Sequence, residues 1–520
     1  MNVTLLLDMA ADGFSDRVIV GRRQDGLTAA RLRETSARAA AQLRAAGASA
    51  LVYLAVNGPA LPVALFAAAR AGIPLVPLNY RLGREQLDRL LASHAGAHCI
   101  ADPAQAAPAA HAGLTCRAPD QFLAEAQDQA ESAGPDGAAL DEAALYEEGP
   151  DEPPDTGAPA VLIYTSGTTS APKGVLLRHQ NLVSYVLGTV EFAAAGEDEA
   201  TLMSVPPYHI SAISNVLTSV YSGRRLVTLE PFTPDGWLDT VRQQVVTHAM
   251  VVPTMLARIM DAPGLDRSVP SLRALAYGGA KMPLRVIEQA LREWPLVDFV
   301  NAYGLTETSS TISVLGPEEH RASIGAEDPL IRGRLGSAGK AVPGIDLEIR
   351  AETGEVVPAG VSGRIWVRGD QVAAEYAGLG AVIDARGFFD TRDRGRLDAA
   401  GYLYIEGRED DTIIRGAENI APAEIEEVLL RHPDVMDAVV VGIPDEEWGQ
   451  HLEAAVVTRP GAAVTGEALR AHVRAALRGS KTPDGIAWWP ELPRTATGKI
   501  IRRDVVQALM DNVVPAPADT

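Results

Sequence analysis

From about Leu27 to Ala109, short apolar segments such as LVYLAV (Leu51 to Val56) alternate with Ala/Leu/Arg-rich stretches of helical length. The rhythm resumes at VLIYTS (Val161 to Ser166) and runs to about Leu315. Apolar strands separated by helices give a parallel sheet with helices covering its faces. The chain has 520 residues, three to four times a domain of about 150, so several cores are expected. With 47% hydrophobic and 22% charged residues, it is neither disordered as a whole, nor collagen-like, nor a coiled coil. Its most apolar region, Leu51 to Leu78, is interrupted by Asn57, Pro59, Pro62, Arg70 and Pro74. That reads as strand, turn, helix and strand, not as a membrane span of about 20 apolar residues.

The texture changes twice. Pro119 to Pro159 is acidic and rich in Pro and Gly, the composition of a surface excursion that is partly helical. After Ser337 come short β segments set off by Gly and Pro (IDLEIR, GRIWVRG, GYLYIEG), which predict a small antiparallel sheet or barrel of hairpins. A polar, acidic junction follows at Arg408 to Asp411, and a fresh α/β alternation starts there. Pro422 suits a first helical position, with Glu424, Glu426 and Glu427 at the positive end of that helix.

The 46 basic and 67 acidic residues leave a net charge of −21. Such a surface repels nucleic acid and anionic bilayers, so an anionic ligand has to be captured by local donors in a cleft. Two cysteines, Cys99 and Cys116, are too few for a disulfide scaffold, and Asp8 cuts short the first apolar run. A cytoplasmic, reducing setting is the expectation.

TSGTTSAPKG (Thr165 to Gly174) directly follows a strand. Its hydroxyls, glycines and lysine form a donor-rich loop of the kind that wraps phosphate oxygens, although it is not a Walker A loop. NAYGLTET (Asn301 to Thr308) places Tyr303, Thr306 and Glu307 on a strand-end loop. There an aromatic ring can stack on a purine, a hydroxyl can hold an oxyanion and a carboxylate can bind Mg²⁺. GRED (Gly407 to Asp410), IIRGAENIAPAEIE and PRTATGKIIRRD (Pro493 to Asp504) follow, with Lys499 in a Gly-flanked turn. Taken singly, these segments also read as an ordinary turn, a polar loop and a solvated lysine. His94, His98 and Cys99 could be a partial Zn²⁺ set, but with no fourth ligand at usual spacing a helix face is the preferred reading.

Taken together and in this order, the segments resemble the adenylate-forming superfamily of acyl-CoA and aryl-CoA synthetases, peptide-synthetase adenylation domains and beetle luciferases. The resemblance implies an α/β fold in which a large N-terminal domain (1–408) holds two α/β subdomains and a small β-barrel-like subdomain. A small mobile α+β domain (409–520) follows, hinged at Asp410. The implied activity is activation of a carboxylic acid by ATP with Mg²⁺, then transfer of the acyl group to CoA. By resemblance Thr165, Ser166, Gly167, Thr168, Thr169 and Lys173 wrap phosphates, and Glu307 binds Mg²⁺ beside Thr306. Tyr303 lines the adenine with Gly279, Ala280, Asn301 and Ala302, while Asp393 and Arg408 hold the ribose. Lys499 bridges acid and α-phosphate, His209 in PPYHISAI sits beside the carboxylate, and Gly416 lines the pantetheine tunnel.

Three positions depart from the family pattern: Ser170 and Arg392 stand where glycine is usual, and Ala417 replaces the second glycine of GGEN. Ala417 weakens the expectation of a CoA step. Alternatives are transfer to a carrier protein or an amine, activation of another oxyanion such as nitrite, or an inactive nucleotide-binding partner. Small residues after His209 (Ser211, Ala212, Ser214, Asn215) and Ala280 suggest room for an aryl or medium-length acyl acid. A homodimer is also allowed.

Overall fold

The computed structural model describes residues 1–127, 158–165, 172–415, 418–445, 448–477, 479–495 and 498–511. The expected alternation folds into two large sheets. In the first, Leu51–Leu54 lies parallel to Leu75–Pro77 and to His98–Ala101. Thr115–Arg117 and Pro159–Thr165 extend that sheet on its two sides, and Lys173–Arg178 turns back antiparallel to the latter. In the second, His248–Val251, Ala274–Gly278 and Asp298–Leu305 run parallel, with Ser310–Leu315 antiparallel beyond them.

One apolar core joins the sheets. Tyr53, Leu75 and Ile163 of the first and Leu202, Val251 and Tyr277 of the second belong to a single cluster, bridged by the helices Ala60–Ala71 and Ile210–Ser222. Ala60 to Ala69 are all buried, because a helix of Ala, Leu, Val and Phe has no polar face to turn outward. Full burial of one Leu or Phe here contributes about 1.5–3 kcal/mol, and the helix carries Leu61, Leu65 and Phe66.

The hairpin segments form the expected small antiparallel sheet, in the order Asp346–Arg350, Gly363–Arg368, Phe389–Leu397 and Leu403–Arg408. Ile349, Ile365, Val367 and Leu403 pack beneath it against Ile312 and Ala338. Beyond the turn Glu409–Asp411, the strands Val435–Asp445, Gly449–Thr458 and Gly485–Trp488 carry apolar clusters on both faces. The helix expected at Pro422 spans Pro422–Leu430, with proline in its first turn. The architecture is a mixed α/β protein with a large N-terminal and a smaller C-terminal part.

Two sequence readings change. His94 lies in a turn and His98 opens a strand, so they share no helix face. One ring nitrogen of each is occupied: His94 Nε2 meets Tyr164 Oη at 2.9 Å and His98 Nδ1 meets Arg117 Nη1 at 3.3 Å. Cys99 sits opposite Cys116 on the next strand, both free, and among the described residues no cluster of three His, Cys, Asp or Glu could hold a metal. Tyr303 is in a strand rather than a loop, because Ser310–Leu315 keeps pairing with that segment as far as Leu305. Of the acidic excursion, Pro119–Gln127 is a helix, and residues 128–157 lie outside the described residues. No described helix is long and apolar enough to cross a membrane.

Candidate active site

The candidate residues gather at the C-terminal ends of the parallel strands, where open α/β sheets bind ligands. Ala274–Gly278 and Asp298–Leu305 end side by side, with Gly278 paired to Ala302. A Cβ at Gly278 would stand 2.2 Å from the Ala302 carbonyl oxygen, and Gly279 has φ +83°, so both positions demand glycine. Gly279 and Ala280 are thereby left as an exposed backbone strip. Asn301 is turned away from it, its Nδ2 donating to Ser337 O at 2.9 Å.

Beside this strip lies a three-residue node. Tyr303 Oη donates to Asp393 Oδ2 at 2.6 Å, and Arg408 Nε donates to Asp393 Oδ1 at 3.0 Å. The strands Phe389–Leu397 and Leu403–Arg408 put Asp393 directly opposite Arg408. Burial and the neighbouring Asp393 carboxylate push the Tyr303 phenol well above its ordinary value, so it remains a hydrogen-bond donor. Tyr303 thus positions Asp393, a role its sequence context did not reveal.

The turn Thr306–Thr308 continues from the same strand. Glu307 Oε1 accepts from Tyr376 Oη at 2.8 Å, and its other carboxylate oxygen has no partner among the described residues. An oxygen ligand anchored on one side and open on the other fits Mg²⁺. Lys173 Nζ lies 5.7 Å from the Tyr376 ring centre, and Thr165 pairs with Lys173 across adjacent strands. Glu307, Lys173 and Thr165 therefore border one region. Ser166, Gly167, Thr168, Thr169 and Ser170 lie outside the described residues, as do Gly416 and Ala417, and so does the side chain of Asp410. Thr306, half-buried, starts the turn.

His209 is the N-cap of Ile210–Ser222, and its Nδ1 accepts from Ser211 N at 3.2 Å. Burial lowers its pKa to about 4, so the ring is neutral at physiological pH. Ser211, Ala212 and Ser214 on the following turn are buried, and Ser214 Oγ reaches Ser310 Oγ at 3.3 Å.

Lys499 comes to this site from the C-terminal part. Gly498, at φ +79°, packs so closely on Thr254 that a Cβ would lie 2.2 Å from Thr254 Oγ1. Arg502, one turn on, is tied to Glu426 at 2.6 Å and to Asp411 at 3.4 Å. Lys499 keeps contact with solvent. Even so, crowding by the cleft walls and then the Arg408 guanidinium lower its pKa, against the opposing pull of Asp393 and Asp411. The charges of Arg408, Asp393 and Asp411 thus all act on the Lys499 ammonium. Sequence reasoning missed Tyr376 and Thr254, which lie in segments with no chemical pattern of their own, and gave Asp411 no role beyond the acidic junction.

The chain matches the AMP-binding enzyme family over residues 7–377 and the AMP-binding enzyme C-terminal domain over 424–499. Feruloyl-CoA synthase of Amycolatopsis sp is 34% identical over 489 residues, covering 92% of this chain and 93% of its own length. Indoleacetate–CoA ligase of Aromatoleum aromaticum is 33% identical over 489 residues, covering 90% and 91%. The structure of o-succinylbenzoate CoA synthetase MenE from Bacillus subtilis, in complex with the acyl-adenylate intermediate OSB-AMP, superposes with a TM-score of 0.80 at 28% identity over 96% of this chain and 97% of that one. By these matches the chain belongs to the adenylate-forming family of AMP-binding enzymes, which includes the acyl- and aryl-CoA synthetases.

Proposed function

We propose that this enzyme is an ATP-dependent acid–CoA ligase acting on an aryl or medium-length acyl acid. In the first half-reaction a carboxylate oxygen attacks the α-phosphorus of ATP, the bond to the β-phosphate oxygen breaks, and pyrophosphate leaves. In the second the CoA thiolate attacks the acyl carbon, and AMP departs as the thioester forms.

The residues divide this work by place. Asp393, held by Tyr303 and Arg408, accepts from the ribose hydroxyls, and the strip Gly279 to Ala280 with Asn301, Ala302 and Tyr303 lines the adenine. Thr165 to Thr169 and Lys173 surround the polyphosphate. Glu307, steadied by Tyr376 and flanked by Thr306, would hold Mg²⁺, which when bound neutralises phosphate charge. His209 presents a neutral N–H to the acid carboxylate. Lys499 places its positive charge between acid and α-phosphate, where charge develops. Gly416 lines the route of the CoA arm.

The observation that carries this reading is the seating of the Lys499 segment, which belongs to a part of the chain with its own core, on Thr254 just beyond the C-terminal end of the strand His248–Val251. The division at 408/409, with Asp410 as hinge, is supported by Arg408 being the last residue paired to the small antiparallel sheet, while Ile413 already packs in the C-terminal cluster. Ser211, Ala212 and Ser214 on the helix after His209 are small, and two relatives are named for aromatic acids. Acid-dependent ATP–pyrophosphate exchange over a panel of aromatic, aliphatic and amino acids, followed by thioester detection with CoA, tests the proposal. We expect exchange with aromatic or medium-chain acids and formation of their CoA thioesters. AMP release without thioester across the panel would overturn the ligase reading.

A further inference from the structure

The turn that carries Lys499 is a hairpin within the C-terminal part. Arg494 and Ile500 bridge antiparallel, Ile501 N donates to Pro493 O at 2.9 Å, and Thr495 N donates to Lys499 O at 2.7 Å. Gly498, at φ +79°, directly precedes the lysine. A glycine tolerates either sign of φ, so it selects no orientation for the peptide that joins it to Lys499. That choice falls to the bonds at the two ends of this peptide. Its N–H, which belongs to Lys499, donates to Thr495 Oγ1 at 3.1 Å. Its carbonyl, which belongs to Gly498, accepts from Arg494 Nη1 at 2.5 Å.

The other arm of the same guanidinium donates to Asp437. Asp437 lies on the strand Val435–Asp445, paired with Val457 of the next strand, and its Oδ1 accepts from Ala438 N at 3.0 Å. Arg494 therefore ties the carbonyl before Lys499 to a central strand of the C-terminal core. The planar fork suits this task, because its donors sit at a fixed separation and serve two acceptors at once. Burial pushes the Asp437 carboxyl above its ordinary value, and Arg494 is the chief influence opposing that rise. Gly498 also packs on Thr254 of the N-terminal part, so the orientation of this peptide is set where the two parts meet.

Fixing the peptide before a residue fixes the direction of its Cα–Cβ bond, and for Lys499 that direction decides where the ammonium goes. We propose that Arg494 is a positioning residue for Lys499: its bond to the Gly498 carbonyl, anchored by Asp437, aims the lysine at the reacting phosphate. This inference rests on the placement of Lys499 in the first half-reaction and adds to it the group that orients the lysine.

The two half-reactions test it, measured on the full chain with the acid that exchanges best. ATP–pyrophosphate exchange reads the first, and thioester formation from supplied acyl-adenylate and CoA reads the second. The variants are Arg494→Met, Arg494→Lys, and Arg494→Met combined with Asp437→Asn, which removes the carboxylate that the single variant would leave unpaired. The backbone bonds of the hairpin do not use the Arg494 side chain, so the turn itself should persist. In both Met variants we expect kcat for exchange to fall about 10–100-fold, as loss of one charge-assisted bond dictates. KM for MgATP and the rate of thioester formation should stay within about two-fold, because the lysine acts where charge develops in the first step. Arg494→Lys should fall between these and the wild type, since a single ammonium serves the two acceptors less well. Unchanged exchange in both Met variants, or an equal loss of the two half-reactions, would overturn the positioning role and leave the ligase reading intact. If the wild type exchanges but forms no thioester, the ligase reading fails, while a drop in exchange at an unchanged denaturant midpoint still supports the role of Arg494. A wild type that exchanges with no acid overturns both.

Discussion

His209 allows a prediction in which stability and catalysis separate. Nδ1 of His209 accepts the Ser211 N–H at 3.2 Å and lies 2.5 Å from Ser211 Oγ, so the proton of the neutral ring is assigned to Nε2. One ring nitrogen therefore caps a helix while the other carries the N–H proposed to face the acid carboxylate. His209→Ala removes both functions. The lost cap should cost about 1 kcal/mol of stability. The lost donor removes a hydrogen bond to a charged group, about 1.5–3 kcal/mol, or about 10–150-fold in kcat/KM for the acid. His209→Asn restores a cap, since asparagine is among the preferred N-cap residues, but it has no Nε2–H to offer. Denaturant unfolding and exchange kinetics on the two variants read the terms separately. Wild-type kcat/KM in His209→Asn would show that the histidine is only a cap.

The pH dependence follows from the same burial. The ordinary His value is 6.5 and the folded value is about 4, so between these limits the unfolded chain takes up a proton that the native ring refuses. The contribution of His209 is thus complete above about pH 6.5 and is lost as pH falls toward 4, by at most about 3 kcal/mol at 1.36 kcal/mol per unit. His209→Asn should flatten that part of the stability profile. Acid use by the wild type should show no histidine titration between about pH 5 and 8, because the ring stays neutral throughout.

Lys499→Ala should abolish acid-dependent pyrophosphate exchange while leaving CoA transfer from supplied acyl-adenylate; equal loss of both half-reactions would refute its placement at the α-phosphate. Because burial and Arg408 depress its pKa, exchange should decline with rising pH before the ordinary lysine value of 10.5 is reached, and the CoA step should not follow it. Tyr376→Phe deletes the 2.8 Å bond to Glu307 but keeps the ring, so KM for MgATP should rise about 3–10-fold with little loss of stability. An unchanged dependence on Mg²⁺ concentration would show that Tyr376 does not steady Glu307. Tyr303→Phe leaves the Asp393 carboxylate with Arg408 alone and should weaken AMP binding by about ten-fold.

Local periodicity made most of the fold legible. The strand–turn–helix–strand reading of Leu51 to Leu78, the helix at Pro422 and the hairpin segments after Ser337 all rest on apolar spacing and on Pro and Gly, which act within a few residues. His94 and His98 went the other way because their i, i+4 spacing is also met by a turn entering a strand, and the parallel partner of that strand decides between them. At the site, motifs singled out Glu307, Asp393 and Lys499 as candidates. No motif could show that Tyr303 bonds to Asp393 or Tyr376 to Glu307, since those pairs are 90 and 69 residues apart and meet only through sheet pairing. Arg392 was visible as a departure from pattern. Its positive φ belongs to the backbone, which no motif reports.

How firmly the C-terminal part is held over the site bears on turnover. The ion pairs between Lys281 and Glu427 at 2.9 Å and between Arg459 and Asp261 at 3.8 Å both have partly exposed side chains. Such pairs are worth about 0–1 kcal/mol each in water, less than a single fully buried leucine. The close packing of Gly498 on Thr254 adds shape without much apolar area. By contrast, Arg502 with Asp411 and Glu426 binds the lysine segment to its own part of the chain. If acyl transfer requires Lys499 to leave the α-phosphate, these energies favour its departing together with the whole C-terminal part. Pulling its loop out alone would break the stronger set of contacts and leave the Arg502 charge without its partners. Weak contacts across the cleft and strong ones behind the lysine are the distribution that a two-step enzyme needs.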